Sequence, residues 1–230
     1  TSVTWLGVLW LGLQPALQVL GFWFLLVVIL RVRSGNASLP FVDYFLLGMA
    51  AWLLLAESIS RGASVLSEFA PVYQRNPFPL GLLPLVPWLV ALATYGAVLT
   101  VLALFLVGFQ GLPALWLWWL LFGLWLLPWL YAIAIISLFY RDLLQALPLL
   151  LTALLYLSPV LYLPDMFPAE WRFWFTLNPI ADWLALLHGW VQGTPWDWAH
   201  LLRPWLWWLL LAAPAWALFC RAEPHVREAL

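Results

Sequence analysis

The chain has 230 residues, of which 66% are apolar and 8% charged; its formal net charge is −1 and it contains no lysine. A soluble domain carries roughly 25% charged residues, so these side chains cannot cover a water-facing surface, and the solvent must be largely lipid. No basic stripe is present to meet nucleic acid, and the one cysteine, Cys220, excludes both a disulfide framework and a cysteine metal cluster.

Crossing ~30 Å of hydrocarbon at 1.5 Å per residue takes about 20 apolar residues. The first such run extends from Thr4 to Leu30 and includes Pro15. It is too long for a signal-peptide core, and the chain starts inside it without a methionine, so residues are expected before Thr1. The polar stretch Arg31 to Asn36 ends this run. A second helix is expected from Asp43 to about Leu66, followed by a short polar loop over 67–78 that contains Pro71 and Pro77. The third span falls at about Leu80 to Val107, and Gly108 to Pro113 forms a tight turn. The fourth runs from Ala114 to Phe139, Tyr140-Arg141-Asp142 punctuates the chain, and the fifth follows from Leu143 to about Leu161. Over 162–203, carboxylates and histidines mix with aromatics and four prolines. This segment is too polar to span and too apolar for a free loop, and reads as two short half-immersed helices near Glu170–Thr176 and Pro179–Val191. Pro204 to Cys220 is the sixth span, and Arg221 to Leu230 a polar tail.

Six spans place both termini on one side. Arginines favour the cytoplasmic loops; with the termini inside, Arg61, Arg75, Arg141, Arg221 and Arg227 lie inside and Arg31, Arg33, Arg172 and Arg203 outside. The 20 tryptophans suit interfacial anchoring and packing.

Glu57 and Arg61, four apart, share a helix face and can pair. Charges near hydrocarbon suggest function, or the helix simply reaches water there. Asp142, beside Arg141, suits a helix N-terminus, where a carboxylate caps free N–H groups and complements the dipole. His188, His200 and His225 show no metal-binding spacing, and no phosphate-binding loop is present, so no metal site is expected and ATP hydrolysis needs another chain. Sugar rings present C–H faces that pack on aromatics. Phe22, Trp23, Tyr156 and Tyr162 are therefore candidates for a glycan path, against a reading as belt or packing residues. In the 162–203 mouth, Trp171 joins Tyr162 as a stacking candidate, and Asn178 is placed to bond hydroxyls or hold the short helices together.

Tyr140-Arg141-Asp142-Leu143, Leu157-Ser158-Pro159-Val160-Leu161-Tyr162 and Leu177-Asn178-Pro179-Ile180 together resemble the "RD … SP-x-x-Y … NP" series of ABC-2-type transporter permeases, in the subgroup exporting O-antigen, capsule and teichoic acid. Ser2, Leu6-Gly7, Trp10 and Pro15 resemble the family's entry into the first helix, more loosely spaced, and Asn76-Pro77-Phe78-Pro79 its "FP" after the second. The resemblance implies an all-α integral membrane protein in which 1–230 form one transmembrane domain. Six helices, two short periplasmic gate helices between the fifth and sixth (the 162–203 segment), and an amphipathic interface helix before the first span would make up this domain. It implies a homodimer in the bacterial inner membrane with cytoplasmic termini, surrounded by membrane lipid and handling a polysaccharide or lipid-linked glycan. Two separate ATPase subunits would hold ATP and Mg and dock on a coupling loop at 67–78, where Glu68, Phe69, Tyr73, Gln74 and Arg75 fall; this chain would carry no cofactor or catalytic residue. The competing readings are an ABC-2 permease for a small molecule or lipid, and an intramembrane transferase, which would need carboxylates or histidines clustered at one depth.

Overall fold

A computed structural model of the chain describes residues 13, 17, 19–29, 31, 40–75 and 79–229, with the side chains of 27, 73, 75 and 222–229 left aside. The described residues form helices and turns, with no β-strand among them. Residues 19–29 are α1, whose second half, Phe24–Ile29, winds as a π-helix. The long helices are α2 (Phe41–Arg75), α3 (Leu85–Leu106) and α4 (Leu112–Phe139); the shorter α5 (Asp142–Leu157), α6 (Phe173–Leu177) and α7 (Pro179–Val191) precede α8 (Trp198–Ala229).

Among the described residues, four stretches are long and apolar enough to cross a membrane: Phe41–Val72, Leu80–Leu106, Phe109–Phe139 and Trp198–Arg221. About half of the run expected to be the first span lies outside the described residues, as do the Arg31–Asn36 break beyond Arg31, the Asn76-Pro77-Phe78 motif and anything before Thr1. Four boundaries differ from the sequence reading, one being the sixth span, expected from Pro204 but part of a helix that starts at Trp198. The second helix does not end at Leu66 but continues to Arg75: the polarity changes there, yet the helical backbone runs on through Pro71. The fifth helix ends at Leu157, short of Leu161, because Ser158 precedes a proline and is extended (ψ 144), as steric contact with the proline ring requires. Its 16 residues span only about 24 Å. The tail after Cys220 is helical through Ala229.

α2 is the central element. Phe45, Leu47, Met49 and Leu54 are fully buried along it, while α3 and α8 turn most of their apolar surface outward. Direction follows from level contacts. Trp52 lies with Trp118 and the Ser137 hydroxyl donates to the Ala63 carbonyl, so α2 and α4 are parallel. Trp125 meets Pro204 and Tyr131 meets Phe219, so α8 is parallel to both. α3 is antiparallel, as Trp119 bonds Leu92 and Tyr131 bonds Gly81. Since α5 runs back toward the Phe41 end of α2, the chain between α5 and α8 starts and finishes at that same end.

Indole N–H groups stitch these helices together. Trp88 donates to the Gly123 carbonyl at 3.0 Å and Trp119 to that of Leu92 at 3.2 Å, a reciprocal pair between α3 and α4. Close approach is possible because a Cβ on Gly96 would meet Trp119 Nε1 at 2.6 Å and one on Gly123 would meet Leu92 Cδ1 at 2.7 Å. Trp208 of α8 donates to the Leu124 carbonyl at 3.3 Å. That carbonyl has lost its helical donor because Pro128, four residues on, has no N–H. Freed carbonyls in membrane helices need such a partner from a neighbour.

Trp208→Phe is therefore expected to lower stability in detergent by about 0.5–1.5 kcal/mol. Pro128→Ala restores an N–H to Leu124, so in that background the loss should vanish. A double-mutant cycle of thermal or denaturant unfolding checks this, and equal losses in both backgrounds would refute the rescue.

Candidate functional site

The segment joining α5 to α8 is re-entrant. Asn178, Pro179 and Ile180 line an apolar groove of about 330 Å³ together with Leu55 and Ile59 of α2, Trp125 and Trp129 of α4, and α5. The other end of α7 returns to the start of α2. There the His188 ring stacks on Tyr44 with centroids 3.7 Å apart, His188 Nε2 donates to the Tyr44 carbonyl at 3.0 Å, and the Tyr44 hydroxyl donates to the Pro159 carbonyl at 2.7 Å. α7 thus begins level with the middle of α2 and ends near its start, antiparallel to it.

Local sequence explains this course. Asn178 precedes Pro179 and is extended (φ −96, ψ 105), as the position before a proline favours; the proline then occupies the first helical position, where its missing N–H costs nothing. The Asn178 carboxamide oxygen accepts from the Ile180 N–H at 3.0 Å, while its NH2 donates to the Ser158 hydroxyl at 2.9 Å. One side chain caps α7 and ties it to the end of α5. At the other end Gly193 takes φ 72, and Thr194 N–H reaches the Gly189 carbonyl while Gly193 N–H reaches that of Trp190. This is the Schellman closure, which favours glycine for its left-handed residue.

Between these joints lies an aromatic ledge. Trp171, Phe173, Trp174 and Leu177 are each about half exposed. Tyr162 is half-buried, stacks on Phe167 at 5.7 Å and donates its hydroxyl to the Tyr156 carbonyl. One face of Tyr162 is thus engaged within the protein, whereas Trp171 offers an open face. Tyr156 is exposed on α5, and Phe22 and Trp23 of α1 pack half-buried against the core. The candidate path residues therefore fall into two groups: Tyr156, Tyr162, Trp171 and Asn178 on or beside the re-entrant segment, and Phe22 and Trp23 on the opening helix.

The residues expected to meet an ATPase lie on the last turns of α2. Glu68 and Phe69 are exposed there, as is Gln74; the side chains of Tyr73 and Arg75 are outside the description. Glu57 and Arg61 form an ion pair one turn apart, with the arginine side chain about half exposed. Arg141 occupies the cap position of α5 without a side-chain cap bond. Asp142 is the first helical residue, so it complements the dipole rather than capping through its side chain. Among the described residues no cluster of histidine, cysteine or carboxylate suits a metal ion.

One cluster escaped the sequence reading. Asp182 of α7 is 2% exposed. Its Oδ1 lies 2.9 Å from Arg203 Nη2 and 2.5 Å from His200 Nδ1, both on α8. His200 and Arg203, three apart, share a helix face, and that spacing opposite a lone acid in an aromatic helix was the available signal.

Asn178→Asp keeps the cap acceptor but loses the N–H donors to the Ser158 hydroxyl and the Leu157 carbonyl, whereas Asn178→Ala loses both functions. The alanine should cost about 1–2 kcal/mol as a lost cap and the aspartate less. Protease or hydrogen-exchange protection of 158–191 is the readout, and equal protection in all three proteins would show that the tie does not hold the segment.

No protein-family model matches the chain. Curated relatives do match. An O-antigen export system permease protein RfbA of Klebsiella pneumoniae is 25% identical over 183 residues, covering 77% of this chain and 69% of the relative. A second Klebsiella pneumoniae protein of the same name is 26% identical over 182 residues, 76% and 69% of the two chains. The Myxococcus xanthus protein of that name is 30% identical over 169 residues, 69% of this chain and 62% of the relative.

Proposed function

We propose that this chain, a multi-pass membrane protein resembling the ABC-2-type permeases of O-antigen export, is the membrane-spanning subunit of an ABC exporter that carries a polysaccharide across the bacterial inner membrane. The observation that carries the reading is the likeness to three relatives named as O-antigen export permeases over about two thirds or more of this chain. The re-entrant, aromatic-rich segment entering and leaving at one end supports it. Such a segment suits a periplasmic gate: exposed aromatic faces pack on sugar rings, and half-immersed helices close a water-filled mouth.

The chain works as a transport subunit. ATP and its magnesium would be held by two separate nucleotide-binding subunits, docked at the Arg75 end of α2 through Glu68, Phe69, Tyr73, Gln74 and Arg75. Both termini would then be cytoplasmic, and two copies of the chain would enclose the path, with Phe22, Trp23, Tyr156, Tyr162, Trp171 and Asn178 as its candidate lining or gate. A lipid-linked glycan is the substrate this arrangement fits best, the sugar passing through the mouth and the lipid staying in the bilayer. No residue of the chain is asked to make or break a covalent bond.

Cells lacking the chain should lose surface polysaccharide and accumulate it internally, with both restored by the plasmid-borne chain. Unchanged surface polysaccharide would exclude the export reading. Reversing charge at Glu68 together with Arg75 should lower ATPase stimulation or assembly at normal protein level; a double reversal with full assembly, turnover and export would move the docking site elsewhere. Tyr162→Ala with Trp171→Ala should cut export more than either change alone, since each aromatic contact is worth about 1 kcal/mol. Equal export at equal expression would make these rings packing residues.

A further inference from the structure

Asp182 takes no part in the path or the coupling described above, yet it is the most deeply buried carboxylate among the described residues. Its position is costly. A carboxylate in an apolar surrounding needs its full set of partners, and Asp182 Oδ2 has none within hydrogen-bonding reach. All its partners come from the neighbouring helix: Arg203 at 2.9 Å and His200 at 2.5 Å, with Arg203 Nη2 also 3.1 Å from His200 Nδ1. The two sides of the cluster differ in exposure. The Asp182 side chain is 3% exposed, those of Arg203 and His200 32% and 35%, and Asp197, whose Oδ2 is 3.9 Å from His200 Nε2, 63%. The α8 side is therefore only partly covered by protein, whereas the α7 side is enclosed.

The helix carrying Asp182 is bounded by two joints. At one end the chain turns at Asn178 between α6 and α7; at the other it turns at Gly193, in a left-handed conformation. Apolar contacts alone would let a short helix slide by degrees. A buried carboxylate cannot: it is either paired with Arg203 and His200 or moved to where water reaches it. Packed interfaces of this kind have discrete arrangements.

We propose that Asp182, Arg203 and His200 form a releasable clasp that holds α7 docked against α8, and that the transport cycle opens it; the second half rests on the export reading above. The groove at the start of α7 and the Tyr44–His188 stack at its end set where the helix sits, and the clasp sets whether it stays there.

The test uses the full chain assembled with its ATPase partner in nanodiscs. Cys220 is replaced by serine, and Leu187→Cys on α7 reports undocking, because Leu187 is fully buried. A water-soluble maleimide is the probe, read by mass spectrometry at position 187. A cysteine at Leu130 of α4, equally buried, is the control for general loosening. Without nucleotide, position 187 should be protected. With ATP and magnesium its labelling should rise by about tenfold or more, the size expected for a local opening equilibrium shifted by one buried partner, while position 130 stays protected. Asp182→Asn should label fast without nucleotide, and Arg203→Lys, which keeps the charge, should stay near the parent. Were Asp182→Asn to loosen position 130 as well, the nucleotide response of the parent protein still decides, since a merely structural pair would show none. Position 187 staying protected under ATP, or Asp182→Asn staying as protected as the parent, overturns the clasp. Failure of the export reading looks different: surface polysaccharide would persist without the chain, whatever position 187 does.

Discussion

The structure depends on where indole N–H groups find acceptors across helices, those of Trp129 and Trp183 being buried without one. Lipid tails are as apolar as leucine, so helices in a bilayer gain little from hiding apolar surface against one another and associate through packing and interhelical hydrogen bonds. A tryptophan brings both: a large flat ring and one donor that needs an acceptor. Here Trp118 donates to the Trp183 carbonyl, Trp125 to that of Pro204, Trp119 to that of Leu92, Trp88 to that of Gly123 and Trp208 to that of Leu124. These bonds join α4 to α7, α8 and α3. The rings of Trp118, Phe122, Trp125 and Trp183 stack and tilt on one another at 5.1–6.3 Å, forming an aromatic core around which α7 is seated.

That core explains why a short, partly polar helix can lie inside an apolar bundle. α7 presents Trp183 to α4 and α2, and its one carboxylate meets the basic face of α8. Prolines set the entrances. Ser158 before Pro159 ends α5 early, and Asn178 before Pro179 starts α7; the two residues bond each other across the turn. The polar connections that would be costly in lipid are thus satisfied by one serine–asparagine pair and a cap.

α2 links the two ends of the molecule. Its first turns carry Tyr44, which holds His188 and Pro159, and the same helix runs on to Arg75. At 1.5 Å per residue this is a rod of about 50 Å, longer than the hydrocarbon core. In the proposed exporter, a displacement at the ATPase end would reach the re-entrant segment through one continuous element, without passing through a flexible joint.

The spans α3 and α4 and the bounds of α7 were legible in the sequence because glycines and prolines bracket uninterrupted apolar runs, and such residues act on the backbone locally. The end of α2 was misread because a change in polarity marks where a helix leaves lipid and not where it stops. The candidate residues Asn178 and Tyr162 could be named in advance from residue type alone. Their partners, Ser158 for one and Phe167 for the other, required the turn that brings them together. Sequence by itself determined that this chain lives in a membrane, since composition sets the solvent, and roughly where it crosses, since length sets the span. Only the tertiary structure decided which tryptophans are stitches and which face outward, and that Asp182 meets Arg203 and His200, because those pairings join residues 18 or more positions apart, and local pattern carries no information about which helices become neighbours.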